Sequence, residues 1–157
     1  MYNRRSAGFS LIELIMVLVL AGILAATAVV YWPGDGINVS AQAEQLAGDI
    51  RYLQSLAMTH GQRTRINFGA DRYWFSNLDG STRLTHPAIG TSEVLLDRGT
   101  ALTSPYPYLI FSSDGVPYID TALPGNPLTA DAVITLSAGG ASRSIRISPD
   151  TGKVTVS

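Results

Sequence analysis

The stretch Gly8–Trp32, GFSLIELIMVLVLAGILAATAVVYW, decides the architecture of the N-terminal part of this chain. It carries no charge from Leu14 to Trp32, and a helix needs about 20 apolar residues at about 1.5 Å rise each to cross a bilayer core. The stretch therefore predicts a transmembrane helix over residues 9–32. Glu13 lies near its start, where an unpartnered carboxylate costs on the order of 2.5 kcal/mol or more. We therefore interpret Glu13 as a residue with a role in the function of the protein.

Cleavage of the chain would supply the partner that Glu13 needs. Hydrolysis of the Gly8–Phe9 bond would free an α-amino group on Phe9, four residues before Glu13 and on the same face of a continuing helix. In a low dielectric, a paired amine and carboxylate are favoured over either charge alone. The pair could form within one chain or between neighbouring chains, and in the second case it would set the register of an assembly.

The seven residues GFSLIEL at positions 8–14 follow a short basic leader and precede the apolar helix. This arrangement resembles the class III signal of type IV pilins and type II secretion pseudopilins. The resemblance implies that residues 1–8 are a leader, removed after Gly8 by a membrane aspartic prepilin peptidase, and that Phe9 is then N-methylated. It also implies that Glu13 recognises the N-terminal amine of an adjacent subunit.

Two other interpretations of the N-terminus are open. A secretory signal peptide would be cut near the Ala-Thr-Ala site at residues 26–28. Glu13 would then interrupt the apolar core, and about 19 uncharged residues exceed the usual 7–15. A plain single-pass anchor leaves Glu13 without a role. Acidic residues inside membranes are rare, which argues against a glutamate that is there by accident.

The basic residues around the apolar stretch predict its orientation. Arg4 and Arg5 precede it, and the next Lys or Arg is Arg51. The positive-inside bias therefore places the N-terminus in the cytoplasm and the remainder outside. Together with the pilin resemblance, this indicates a single-pass protein of the bacterial inner membrane with a periplasmic C-terminal domain, later incorporated into a pilus or pseudopilus.

Composition excludes several classes of function. The 157 residues include 11 basic and 12 acidic ones, for a formal charge of −1, and loss of Arg4 and Arg5 would leave 9 against 12, or −3. A mildly acidic balance gives no support to general polyanion binding. There is no cysteine, so neither disulfides nor thiol chemistry are expected.

Pro33 and two nearby glycines predict a break over residues 33–39, because proline lacks the amide donor and glycine disfavours helix. A second helix is predicted from Ser40, as its N-cap, to His60, with Gly61 as terminator. Apolar residues spaced three and four apart make one face of this helix, namely Ala43, Leu46, Ile50, Leu53 and Ala57.

The residues after the second helix predict a β-rich segment over 63–157. Alternating side chains predict a hairpin of Thr64–Phe68 and Tyr73–Phe75. Further strands are predicted at Val94–Leu96, Thr100–Leu102, Tyr108–Phe111, Val116–Ile119, Ala132–Leu136, Ser144–Ser148 and Lys153–Val156, with turns at residues 113–115, 139–140 and 150–152. The predicted class is α+β, with a long N-terminal transmembrane and amphipathic helix packed on an antiparallel β-sheet domain (residues 40–157).

This succession of elements resembles the minor pilin family that contains pseudopilin H of type II secretion and the fimbrial T proteins, and also the minor pilins of mannose-sensitive haemagglutinin pili. The segments IFSSDG at 110–115 and IRIS at 145–148, followed by GKV at 152–154, carry the likeness. It implies a long helix on two antiparallel sheets and a structural subunit in the tip or initiation complex. Implied partners are other pilins, the prepilin peptidase and methyltransferase, the inner-membrane assembly platform, lipid and secreted cargo.

The chain shows no pattern typical of an enzyme or a metal site. Asp114-Gly115 lacks the spacing of a calcium loop and predicts a turn. His60 and His86 have no further His or Cys at ligand spacing. Neither a nucleophile elbow nor a phosphate loop occurs. We therefore predict no catalysis, no cofactor and no metal.

Basic residues near the C-terminus offer an alternative function. Arg143, Arg146 and Lys153 form a candidate weak DNA-contact patch, because some fimbrial T proteins are DNA receptors with a basic C-terminal patch. The other interpretation is a solvated strand face that protects a sheet edge, which the acidic balance and the neighbouring Asp150 favour. A DNA receptor or adhesin is thus the alternative to a structural subunit, and nucleic acid is not expected as a partner.

Overall fold

The computed structural model describes residues 10–30, 35–97 and 99–157. The described residues form two helices, α1 at Leu11–Val30 and α2 at Asp35–His60. They belong to two compact units, Met1–Pro33 and Gly34–Ser157, which we describe separately. The predicted leader and the predicted break at residues 33–34 lie outside the described ranges.

Helix α1 is apolar on every side. Its eleven large apolar side chains with described exposure, from Leu11 to Leu24, are each between 47% and 76% exposed. The Ser10 carbonyl starts the helix by accepting the N–H groups of Glu13 and Leu14 at 3.0 and 3.2 Å. Within the described ranges, no helix reaches both the length and the hydropathy that a bilayer crossing requires.

Helix α2 begins at Asp35, five residues before the predicted start, so the prediction of a linker through residue 39 was wrong. Ser40 is not the N-cap, because its hydroxyl donates to the Gly36 carbonyl one turn earlier at 2.8 Å. The extra turn is held by Val39, which is fully buried. Packing of an apolar face stabilises helices more than propensity does, and here it outweighs a glycine in the first turn.

Two antiparallel sheets complete the second unit. The six strands of the first sheet are β1 (Thr64–Phe68), β2 (Arg72–Ser76), β3 (Arg83–Leu84), β4 (Val94–Leu95), β6 (Tyr108–Phe111) and β7 (Pro117–Tyr118). Their order is β3-β2-β1-β6-β7, with β4 also pairing with β2. The four strands of the second sheet are β5 (Ala101–Thr103), β8 (Ala132–Ala138), β9 (Ala141–Ile147) and β10 (Val154–Val156), in the order β10-β9-β8-β5.

The core lies between α2 and the inner faces of both sheets. The five residues predicted as the apolar face of α2 are all fully buried, which confirms that prediction. They pack in one cluster with apolar side chains of both sheets, including Ile66, Leu109, Phe111, Ile134 and Ile145. The α+β class and the helix on antiparallel sheets are confirmed.

Most predicted strands are present with shifted ends. β1 and β6 match their predicted bounds, whereas β9 begins at Ala141 instead of Ser144. The predicted turn between β8 and β9 is confirmed, with positive φ angles of 56° and 85° at Gly139 and Gly140. β3 was not predicted, since two residues carry no alternation that a sequence pattern could register.

Gln54 of α2 joins two turns that are distant in sequence. Its amide donates to the carbonyls of Gly115 and Thr151, each at 2.8 Å. A Cβ on Gly152 would lie 2.6 Å from both Gln54 Nε2 and the Gly115 carbonyl oxygen. Only glycine therefore allows this close approach of the two turns to the helix.

Candidate functional site

Glu13, the central residue of the predicted signal, lies in the first turn of α1 and is exposed. Among the described residues, no basic group lies within ion-pair distance of its carboxylate. Gly8 and Phe9, the predicted cleavage and methylation residues, lie outside the described ranges. The structure thus presents an exposed carboxylate at the start of an apolar helix, without a cationic partner in the described part of the chain.

The surface around Glu13 can be stable only when something covers it. Large apolar residues occupy consecutive positions from Leu14 to Leu20, so no side of α1 is polar over this segment. A helix that is apolar all round is buried in lipid or protein. Each such side chain left in water forgoes about 1.5–3 kcal/mol. The unit is therefore built for contact with lipid or with other helices.

Arg143 is on the inner side of the second sheet. It pairs across β8 with Leu136, whose side chain is fully buried against α2. Its Nε atom donates to the Ser40 hydroxyl of α2 at 3.0 Å. Arg143 therefore caps the edge of the core, although its guanidinium remains exposed.

Arg146 and Lys153 lie on the opposite, outer side of this sheet. Arg146 pairs with Thr155 across β10, and Lys153, two residues before Thr155, shares that face by strand alternation. Arg146 is also neutralised by Asp131, at 2.8 Å between Nη1 and Oδ2. The structure therefore does not bring the three residues of the candidate DNA patch together on one face.

The arginines of the first sheet are engaged in contacts within the chain. Arg65 donates to Asn67 Oδ1 at 2.7 Å, and Arg83 forms an ion pair with Glu93 at 2.5 Å. Three guanidinium groups also stack over aromatic rings, in the pairs Arg63–Tyr118, Arg65–Tyr108 and Arg83–Trp74, at 4.5, 3.8 and 4.8 Å. These stacks cover aromatic surface and support the sheet.

A buried polar cluster joins α2 to β2 and to the loop after β3. The Tyr73 hydroxyl donates to Asp49 Oδ2 at 2.5 Å, and His86 Nε2 lies 3.0 Å from Asp49 Oδ1. His86 is 4% exposed, and its ring stacks on Phe75 with centroids 5.3 Å apart. Burial and the bond to Asp49 raise the pKa of the Tyr73 hydroxyl.

Sequence reasoning considered His86 only as a metal ligand and missed this cluster. Its Nδ1 accepts the Ala88 N–H at 3.2 Å, so the imidazole also holds its own loop. Among the described residues, no group of three His, Cys, Asp or Glu side chains is arranged to hold a metal ion. No sequence signal links Asp49 with His86, because 37 positions separate them and only the tertiary fold brings them together.

A groove of about 500 Å³ opens between the end of α2, the β1–β2–β3 edge and the loop that follows β7. Its apolar walls are Leu56, Leu78, Leu84 and Leu123, and its two basic side chains are His60 and Arg63. The sequence analysis did not foresee it, since its walls come from segments up to 67 residues apart (56 to 123).

Comparison with known proteins gives two family matches. The sequence model described as Type II transport protein GspH matches residues 42–152, and that of the prokaryotic N-terminal methylation motif matches residues 3–29. Together they cover both units. No curated protein matches the sequence significantly.

Solved structures share the fold. The minor pseudopilin EpsH from the type 2 secretion system of Vibrio cholerae has a TM-score of 0.58 at 15% identity, covering 76% of this chain and 96% of that one. The type IV minor pilin FimU of Pseudomonas aeruginosa has a TM-score of 0.54 at 14% identity, covering 76% and 87%. At such identities the likeness concerns the fold alone.

Proposed function

This chain belongs to the GspH family of type II transport proteins, a family of structural minor pilins and pseudopilins, and on that premise we propose how it enters a filament. Its N-terminal methylation motif is that of a membrane-anchored pilin. We infer that the chain is held in the bacterial inner membrane by the 9–32 segment, with the N-terminus cytoplasmic and residues 40–157 periplasmic. The basic pair Arg4 and Arg5 supports this orientation.

The single observation that carries the proposal is the exposed, all-round apolar surface of α1 around Glu13, which has no cationic partner among the described residues. Lipid covers this surface before assembly, and the equivalent helices of neighbouring subunits replace lipid in the filament. Helix association in an apolar medium gains from close packing and from buried polar pairs rather than from the hydrophobic effect. Glu13 is the described acidic group in α1 that can supply such a pair.

The partner of Glu13 in this mechanism is an N-terminal amine. Cleavage after Gly8 and N-methylation of Phe9 produce a cationic amine close to the membrane surface. We propose that Glu13 captures this amine on the adjacent subunit and so sets the register between neighbours. The prepilin peptidase, the methyltransferase and the inner-membrane assembly platform are the transient partners that this route requires.

The family match supports a proposal about the position of the subunit within the filament. We propose a place in the tip or initiation complex of a type II secretion pseudopilus or a type IV pilus, where the outer domain contacts other minor subunits or exported cargo. The DNA-receptor alternative has less support, because Arg143 and Arg146 lie on opposite faces and Asp131 neutralises Arg146.

Replacing Glu13 tests the mechanism. We expect Glu13→Ala to leave the full chain in the membrane fraction but to reduce its amount in sheared filaments by at least about tenfold, which corresponds to about 1.4 kcal/mol. Glu44→Ala is the matched control, because Glu44 is also exposed and helical but lies in α2. Immunoblots of membranes and filaments measure both, and normal incorporation of Glu13→Ala would contradict the pairing.

A further inference from the structure

The groove beside the end of α2 has apolar walls that the chain leaves uncovered. Leu56 contributes from the helix, Leu78 and Leu84 from the segment between β2 and the end of β3, and Leu123 from the loop after β7. Leu84 is 36% exposed and Leu123 is 77% exposed. Isolated exposed leucines are ordinary, but leucines from three separate segments around one concavity of about 500 Å³ form a recognition surface.

Arg63 adds an uncompensated positive charge to this groove. Its guanidinium donates through Nη1 to the Ala122 carbonyl at 2.7 Å and through Nη2 to the Pro124 carbonyl, while its face lies on the Tyr118 ring. Carbonyl oxygens satisfy hydrogen bonds without neutralising charge. Among the described residues, no carboxylate lies within ion-pair distance of Arg63, unlike the paired Arg72 and Arg83. Further N–H donors of the fork therefore stay available to an anion.

The wall that carries Leu123 is organised before any partner arrives. Asp120 Oδ1 accepts the N–H groups of Ala122 and Asn126 at 3.3 and 3.0 Å, and Arg63 holds the same loop from the other side. A loop that is already ordered loses little conformational freedom on binding. Leu123 is thus displayed at a fixed position on the rim.

The charges of the groove select its partner. Its basic lining residues are His60 and Arg63, and no Asp or Glu is among the described residues that line it. We propose that the groove binds a segment of a neighbouring subunit in the same filament, which inserts a large apolar side chain between Leu84 and Leu123 and places an adjacent Asp or Glu at Arg63. This rests on the proposed function. The open rim suits a protein segment, since a small-molecule site buries most of its ligand.

Site-specific photo-crosslinking in the producing bacterium tests this assignment. Benzoylphenylalanine is placed in the full chain at position 123 and, as the control, at position 95. Leu95 is 61% exposed on β4 and does not line the groove. We expect position 123 to crosslink to another subunit whose gene encodes a prepilin leader, at a peptide in which a large apolar residue adjoins Asp or Glu. Position 95 should not yield that product.

A charge substitution in the full chain provides the second arm. Leu123→Asp places a carboxylate beside Arg63 and should lower co-purification of the identified subunit by at least about tenfold, while Leu95→Asp leaves it unchanged. Because Leu123 is exposed, the melting temperature of the variant should equal that of the unchanged chain. Unchanged co-purification by Leu123→Asp would overturn the proposal.

The remaining outcomes separate the groove from the filament role. Two results would contradict the groove proposal and not the filament function, provided that the chain is still found in sheared filaments. One is a crosslink at position 123 to lipid or to a protein whose gene encodes no prepilin leader, and the other is the absence of any crosslink. Absence of the unchanged chain from filaments would contradict both the groove proposal and the proposed filament function. Equal crosslinking from positions 95 and 123 to the same subunit also overturns the groove as the specific site.

Discussion

The two helices of this protein are built from similar apolar residues, yet their surroundings differ completely. Leu20 and Ile23 of α1 are 57% and 58% exposed, whereas Leu46 and Ile50 of α2 are fully buried. The difference follows from the pattern of the sequence. Helix α2 confines its apolar residues to one face, which the two sheets of the same unit cover. Helix α1 is apolar on all faces, so it requires an apolar environment of lipid or protein.

The largest expected effect concerns the N-terminal region, where a local signal acts without the fold. Replacing Gly8 with valine should leave the leader attached in the whole population, because a bulky residue at the scissile bond blocks the peptidase. Intact mass of the protein extracted from membranes measures this. Gly48→Val is the control; a Cβ there meets no atom within 4 Å. Normal processing of Gly8→Val would contradict the cleavage assignment.

A core substitution should show that the two helices contribute differently to the free energy of unfolding. Leu46→Ala is expected to lower the free energy of unfolding of the second unit, Gly34–Ser157, by about 2–5 kcal/mol, because a buried cavity replaces the side chain. Leu20→Ala in α1 should leave that free energy unchanged. Urea unfolding of the full chain in detergent micelles, followed by near-UV circular dichroism, compares them. Equal losses would mean that α1 also belongs to the core.

Two glycines of the second unit allow a comparison of the stability cost of a substitution with and without close neighbours. Gly61 and Gly152 have nearly the same φ, 64° and 62°, but only Gly152 packs against Gln54 and Gly115. Gly61→Ala should cost about 1–2 kcal/mol for its left-handed backbone. Gly152→Ala should cost about 1–3 kcal/mol more, because its Cβ overlaps its neighbours. Equal unfolding midpoints of the two variants in urea would show that the stability of these turns does not depend on the contacts with Gln54.

The smallest expected effect is a pH dependence at the buried cluster. The pKa of Tyr73 is raised in the folded state by burial and by Asp49, so above its ordinary value of about 10 only the unfolded chain loses this proton. Stability from this group is present below about pH 10 and is lost as the pH rises, by at most about 1.4 kcal/mol per pH unit.

Tyr73→Phe should remove the decrease of the unfolding free energy with pH that this group causes between about pH 9.5 and 11. Tyr52→Phe, at a residue that is 40% exposed, should leave that decrease unchanged. Urea midpoints across this range report the difference. A slope that persists in Tyr73→Phe would assign the titration to another group.

The sequence predicted those features that depend on neighbouring residues in the chain. The prepilin motif with Glu13 is such a feature, and the match of the methylation motif to residues 3–29 supports it. The buried face of α2 is another, since spacings of three and four define it without reference to the sheets. The start of α2 was missed because Val39 is held by tertiary packing, which no local preference at Gly36 reveals.

The basic patch shows how a small error in strand bounds changes a functional interpretation. With β9 predicted to begin at Ser144, Arg143 lay outside the strand and was free to join Arg146. The observed strand includes both, and a separation of three positions places them on opposite faces. A correct strand boundary would have revealed this division from the sequence.

By itself, the sequence determined that this protein has an apolar helix with one carboxylate and a second helix with one face to bury, and it predicted a leader that is removed. These properties are local, because helix periodicity and a cleavage signal need only residues that are adjacent or one turn apart. Only the tertiary structure decided the Asp49–Tyr73–His86 cluster, the Gln54 contacts and the groove at Arg63. Each of these requires strand order and register, which bring together side chains from distant parts of the chain.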